Sequence, residues 1–345
     1  MAASEREGAR RTELVVGVDE SGEVLLEFLS VHFINESKTR LRRLAGRGDV
    51  LVNGLPVPPR VRLQSADVVS LPPGLLLSPP PGPAFEVSVL YEDERLLCLD
   101  KPPGYPVLPA RGGADAEFMT SLVAYLNRGR TGAGPYVRPH VVHRLDRDTS
   151  GVLLVTKDAA SGRALGLQFQ RRLVEKAYMA LVEGVLPRSE LRLDAALERM
   201  PGSDLRMRVA PRGGKPAATT MTVQERFGHF TLLSARPHTG RQHQIRVHLA
   251  AAGYPLAVDS LYGRRRVLTG KCLNRILGRR VCRAGQTLLA RCPLHADSVR
   301  YAHPATGVPM SHSAPLPADM EGVLARLREL DPPEPSPLQS HGTRG

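Results

Sequence analysis

A chain of 345 residues with 47 Lys and Arg against 34 Asp and Glu carries a formal charge of +13; it is long enough for two domains and basic enough to favour a polyanionic partner. Aromatic residues are only 4% and tryptophan is absent, which excludes an extended aromatic platform for stacking many bases. No run of about eighteen apolar residues occurs, and the start Met1-Ala2-Ala3-Ser4-Glu5-Arg6 has no apolar signal core, so no membrane association and a cytoplasmic location are expected.

In chain order, residues 1–13 are polar and expected to be disordered. Residues 14–71 read as a compact module. Glu23–Val31 has the apolar content of a buried helix. Ser37 is a candidate cap for a second helix with Leu41, Leu44 and Ala45 on one face, Lys38, Arg40, Arg42 and Arg43 mostly toward solvent, and Gly46 and Gly48 at its end. Val50-Leu51-Val52 meets Asn53-Gly54, a two-residue hairpin turn; Val57 lies on the return strand, and Asp67–Leu71 supplies another strand. Residues 72–84 hold six prolines and two glycines and read as a semi-rigid linker.

From residue 85 short strands alternate with helices and long loops, without a βαβ rhythm or a Gly-rich phosphate loop. Val152–Val155, Lys176–Val182 and Phe230–Ala235 read as strands, Gly162–Leu173 and Gln242–Ala252 as helices. Residues 264–285 read as an inserted basic loop over the active-site cleft, or equally as a disordered surface insertion, and 330–345 as a disordered tail. Cys98, Cys272, Cys282 and Cys292 form no C-x-x-C pair, and His243 and His248 lack the helical spacing of four that puts two ligands on one face, so no metal site is expected.

The most informative string is His143-Arg144-Leu145-Asp146-Arg147-Asp148-Thr149-Ser150-Gly151, a polar turn leading into an apolar strand. Arg144 and Arg147 lie beside Asp146 in sequence, and a neighbouring guanidinium favours the ionised carboxylate, which suits a nucleophile or base. The string resembles the signature of the RluA-type pseudouridine synthases. Val89–Glu94, Lys101-Pro102-Pro103-Gly104, Glu175–Ala180, Thr239–Leu249, Leu294-His295-Ala296 and His303-Pro304 resemble further blocks of that family, in the same order. The resemblance implies an α+β catalytic domain over 85–315, with a large mixed, mostly antiparallel sheet. It also implies that 14–71 is an αL RNA-binding module like that of ribosomal small-subunit protein S-four, with Lys38, Arg40, Arg42 and Arg43 meeting RNA.

By the same resemblance Asp146 is the catalytic residue, Tyr178 stacks on the target base, and Arg246 pairs with Asp146. Arg144 and His143 are expected at the substrate, and Arg241 is a phosphate contact and a rival for the role of Arg246. The chemistry needs no cofactor. The implied function is uridine isomerisation in structured RNA, ribosomal RNA of the large subunit before transfer RNA, by a monomeric enzyme. The competing readings are a transfer RNA enzyme and a non-catalytic RNA-binding ribosome-assembly factor. The Lys-Pro-x-Gly turn departs from the family in continuing Tyr105-Pro106-Val107, and Asp100 stands where many members have Asn.

Overall fold

The structure is a computed structural model that describes residues 11–16, 20–33, 36–73, 85–107, 117–129, 137–203 and 205–330. The expected disordered start, the body of the Pro-rich linker and the tail after residue 330 lie outside the described residues. The chain divides into two compact units, Met1–Glu86 with Glu117–Pro139, and Val87–Ala116 with His140–Gly345. The segment 117–139, which the sequence reading gave to the catalytic domain, therefore groups with the N-terminal residues.

In the first unit a four-stranded sheet, ordered Thr12–Val15, Val68–Leu71, Leu51–Val52, Leu55–Pro56, packs with helices Leu25–His32 and Lys38–Gly46. Leu25, Phe28, Leu29, Phe33, Leu41, Val50 and Val69 fill its core. Local chemistry sets the joints. The Ser37 side chain accepts the Arg40 N–H, and Asn53 and Gly54 both take positive φ, the geometry of a type I′ turn. Helix Glu117–Leu126 joins this unit through Phe118, stacked on Phe85, and Arg138 donates to the carbonyls of Ser30 and Glu36.

In the second unit a ten-stranded sheet runs Glu190–Asp194, Ala218–Arg226, Phe230–Pro237, Glu175–Glu183, Leu294–Ala302, Ser150–Thr156, Leu96–Lys101, Ser88–Glu92, with Pro309–Ser313 and His140–Val141 attached at its side. Its pairs are antiparallel except Ser150–Thr156 with Leu294–Ala302, so the sheet is mixed and mostly antiparallel, and the fold is α+β. The parallel junction is tight. Gly151 sits at φ +107°, and a methyl group there would overlap the carbonyl of Ala296. Gly151→Ala is therefore expected to destabilise the protein by more than the ~1–3 kcal/mol of such backbone strain, read as a lower urea midpoint.

Three sequence expectations are corrected here. The helix expected at Gly162–Leu173 is Ala159–Gln170, because the Asp158 side chain caps the Ser161 N–H and Arg172 turns to φ +60°. The helix expected at Gln242–Ala252 is Gln244–Ala251, because His243 takes φ +54°. The basic insertion is neither a loop over the cleft nor disordered. It folds as strand Leu268–Thr269, helix Gly270–Ile276 and strand Thr287–Leu289, burying Leu268, Leu273, Cys282 and Leu289 against Val323, Leu324 and Leu327 of the helix Ala318–Leu330. Its apolar residues need that partner helix, so the arginines between them face out. No helix among the described residues is long and apolar enough to cross a membrane.

Candidate active site

The turn 144–149 joins strands His140–Val141 and Ser150–Thr156, and the fold fixes it from several sides. The Lys101 side chain, fully buried, donates to the carbonyls of Pro102, Arg147 and Thr149 at 2.7, 3.1 and 2.9 Å. Burial pulls the Lys101 pKa down to about 7, against the opposing charge of Asp148. Gly104 and Arg147 exchange hydrogen bonds, and Arg291, held bidentately by Asp319, donates to the Asp148 carbonyl. Leu145 points into the interior, which leaves Asp146 facing a cleft of about 1040 Å³.

At the floor of that cleft Arg246 Nη1 donates to Asp146 Oδ2 at 3.0 Å. The other edge of the guanidinium is clamped by Asp259, with Nε to Oδ2 at 2.8 Å and Nη2 to Oδ1 at 2.7 Å. Asp259 is 1% exposed and also accepts the N–H groups of Leu261 and Tyr262. Burial alone would destabilise both charges. Burial is the largest single influence on each, but the hydrogen bonds and opposite charges around the pair together outweigh it, so the Asp259 pKa falls and that of Arg246 rises. The bidentate partner of Arg246 is thus Asp259, not Asp146. Arg144 is exposed, and Arg147 is exposed and bonded to Gly104; the guanidinium that the turn's carboxylate meets comes from 100 residues away.

His243 completes the floor. Its Nε2 lies 3.9 Å from Asp146 Oδ2 and its Nδ1 2.7 Å from the Tyr262 hydroxyl, which accepts the Met207 N–H. That hydroxyl then donates to Nδ1, so the Nε2–H faces the carboxylate. Burial lowers the His243 pKa, which keeps the ring neutral; Asp146 opposes the shift. Tyr178, on the strand Glu175–Glu183, lines the wall; burial first and Asp146 second raise the pKa of its phenol, so it stays protonated. Asp259 is fully engaged and held ionised, which leaves it unable to act as the second, acidic carboxyl of a two-carboxylate hydrolase.

Residues 95–251 match the family model for RNA pseudouridylate synthase. The chain is 34% identical to the ribosomal large subunit pseudouridine synthase C of Pasteurella multocida, over 92% of this chain and 94% of that protein. The chain belongs to the RNA pseudouridylate synthase family. It is likewise 32% identical to the ribosomal large subunit pseudouridine synthase D of Neisseria meningitidis serogroup B, over 94% and 84% of the two chains. Among solved structures, human RNA pseudouridylate synthase domain containing 4 aligns with a TM-score of 0.55 at 25% identity, over 70% of this chain and 93% of that one. As a member of this family the chain is a pseudouridine synthase.

In this synthase the cleft gathers Asp146, Tyr178, Arg246, His143, Arg144 and Arg241 along its walls. His143 is less free than expected of a substrate contact. Its Nε2 accepts the Leu154 N–H at 2.9 Å and its ring stacks on Phe169. Arg241 spends its Nε on the Pro216 carbonyl. Lys38, Arg40, Arg42 and Arg43 lie in the other unit, where Lys38 pairs with Glu27 and Arg40 with Glu36, leaving Arg42 and Arg43 exposed. Sequence reasoning missed Asp259, Tyr262, His243 and Lys101 as parts of the site. The string Asp259-Ser260-Leu261-Tyr262-Gly263 was visible, but nothing local says that its carboxylate reaches Arg246.

Proposed function

We infer that this enzyme isomerises specific uridines of large-subunit ribosomal RNA, with Asp146 as the essential carboxylate. The observation that carries the chemistry is the cleft-facing carboxylate of Asp146, aimed by Arg246, itself clamped by Asp259. The substrate class rests on relatives of that printed name, matched along almost the whole chain. The bond from the sugar C1′ to N1 of uracil breaks and a bond from C1′ to C5 forms, while the C5 hydrogen leaves and N1 gains a proton. The target nucleotide has to leave its stack to reach Asp146. Tyr178 supplies a face for the free base and Arg246 keeps the carboxylate charged and aimed. Residues 14–71 act as an RNA-binding module of the αL type, with Arg42 and Arg43 on phosphates. The enzyme works as a cytoplasmic monomer, with no metal or cofactor.

The test uses unmodified large-subunit ribosomal RNA transcribed with uridine tritiated at C5. Each isomerisation releases the C5 label to water. Release is expected to plateau at a small whole number of sites per transcript. Release from a transfer RNA pool but not from ribosomal RNA would instead support the transfer RNA reading, and release from neither would sink the proposal.

A further inference from the structure

Among the cleft cations with no role in the chemistry above, which include Arg172, Arg236 and Arg300, Lys176 stands out by its position. Lys176 lies two residues before Tyr178 on the same strand, so both side chains leave the same face, ~6.7 Å apart along the strand. Both line the cleft. That offset matches the span from a nucleobase to its own phosphate.

The surroundings of Lys176 hold no counter-charge. Its Nζ lies 5.8 Å from the centre of the Phe169 ring, and a methyl group on Gly240 would lie 3.9 Å from it. Phe169 in turn stacks with His143, whose Nε2 accepts a backbone N–H. Burial and the Lys176 charge hold the His143 pKa down to about 3, so that ring is neutral. Among the described residues no carboxylate lies within ion-pair distance of Lys176. The other inward lysines are satisfied, Lys157 by Glu92 and Lys101 by three carbonyls. Desolvation lowers the Lys176 pKa, and no neighbouring charge opposes it. Ammonium groups taken out of water are nearly always paired. An unpaired one in an open cleft, beside the residue that faces the base, is built for an anion that arrives with the substrate.

We propose that Lys176 is the anion subsite for a phosphate flanking the extruded nucleotide, an assignment that rests on the reading of the cleft as an RNA isomerase site. The phosphate restores the counter-charge that the fold withholds. It also fixes the distance between the backbone and Tyr178, which sets the base over Asp146.

The test compares wild type, Lys176→Met and Lys176→Arg in three measurements. Lys176→Met removes the charge and keeps the length, so it should fold with a Tm close to wild type, because no ion pair is lost and the thioether still packs on Phe169. Inorganic phosphate should raise the Tm of wild type more than that of Lys176→Met. Binding of oligouridylate, followed by anisotropy across a salt series, should weaken about tenfold in Lys176→Met, as expected for one charge-assisted contact. Its salt slope should be shallower by ~0.7, the loss of one single-strand phosphate contact. Lys176→Arg should restore the slope. An unchanged slope and affinity in Lys176→Met would overturn the proposal. So would a collapse of its Tm, which would make Lys176 a structural residue. Tritium release by wild type is read separately. If neither ribosomal nor transfer RNA releases label the isomerase reading fails, while the slope comparison still decides whether Lys176 meets phosphate.

Discussion

Asp146→Asn is expected to retain RNA affinity within about threefold and to lose at least the ~10²–10⁴-fold that a positioned acid or base contributes. The substitution keeps size and leaves an oxygen for Arg246 Nη1, so the floor of the cleft should stay assembled. Arg246 does not become an orphan charge, because Asp259 still holds two of its nitrogens. The side chain of Asp146 is 26% exposed, so the protein should unfold at nearly the wild-type denaturant concentration. What disappears is the cleft-facing carboxylate that Arg246 aims. Asp148→Asn is the matched control. Asp148 is tied to the fold through its backbone carbonyl, which Arg291 reaches, and its side chain has no assigned chemistry. Single-turnover tritium release would measure both variants. Asp146→Asn within tenfold of wild type, or Asp148→Asn as damaged as Asp146→Asn, would remove Asp146 from its role.

The sequence speaks most clearly where the physics is local. Ser37 caps the next helix and Asn53-Gly54 turns a hairpin because each needs only its immediate neighbours. The buried strand Ser150–Thr156 is readable from its apolar run. Asp158 was equally readable as a cap for Ser161, yet the small side chains of Ala159-Ala160-Ser161-Gly162 give the first turn of its helix no large apolar residue to mark its periodicity. Family resemblance locates Asp146, Tyr178 and Arg246, but it does not show who holds whom. The sequence neighbours Arg144 and Arg147 look like the natural partners of Asp146, and the fold sends a guanidinium from residue 246 instead. Insertion 264–285 misleads for a similar reason. Its arginines dominate the composition, while Leu268, Leu273 and Leu289 become a core only against the helix at 318–330. Pairings set by distant elements carry no local mark, and the site consists mostly of such pairings.

Arg246→Lys should be nearly as damaging to turnover as loss of the carboxylate it serves, and Asp259→Asn should follow it. One guanidinium makes three bonds here, two to Asp259 and one to Asp146, and its plane holds the two carboxylates at a fixed angle. An ammonium is a point charge without that plane. It would settle on buried Asp259 and leave Asp146 unaimed, so kcat should drop ~10²-fold, as for a small displacement of a reacting group. Affinity for RNA should hold, because Arg246 is 7% exposed and faces carboxylates. Asp259→Asn acts one step further back. Its amide keeps one acceptor but turns an NH₂ toward the guanidinium, and breaking a buried pair costs ~3–5 kcal/mol. Stability and kcat should therefore fall together, with KM little changed. Because both substitutions break the same clamp, their combined loss in kcat should be smaller than the product of the separate losses. Multiplicative losses would mean that Asp259 serves the fold alone and Arg246 aims itself. Arg241→Ala gives the contrast. Arg241 is half-exposed and bonded through Nε to a backbone carbonyl, so its loss should raise KM and flatten the salt dependence without lowering kcat. The opposite pattern, with kcat lost in Arg241→Ala and KM raised in Arg246→Lys, would show that Arg241 is the arginine that aims the carboxylate.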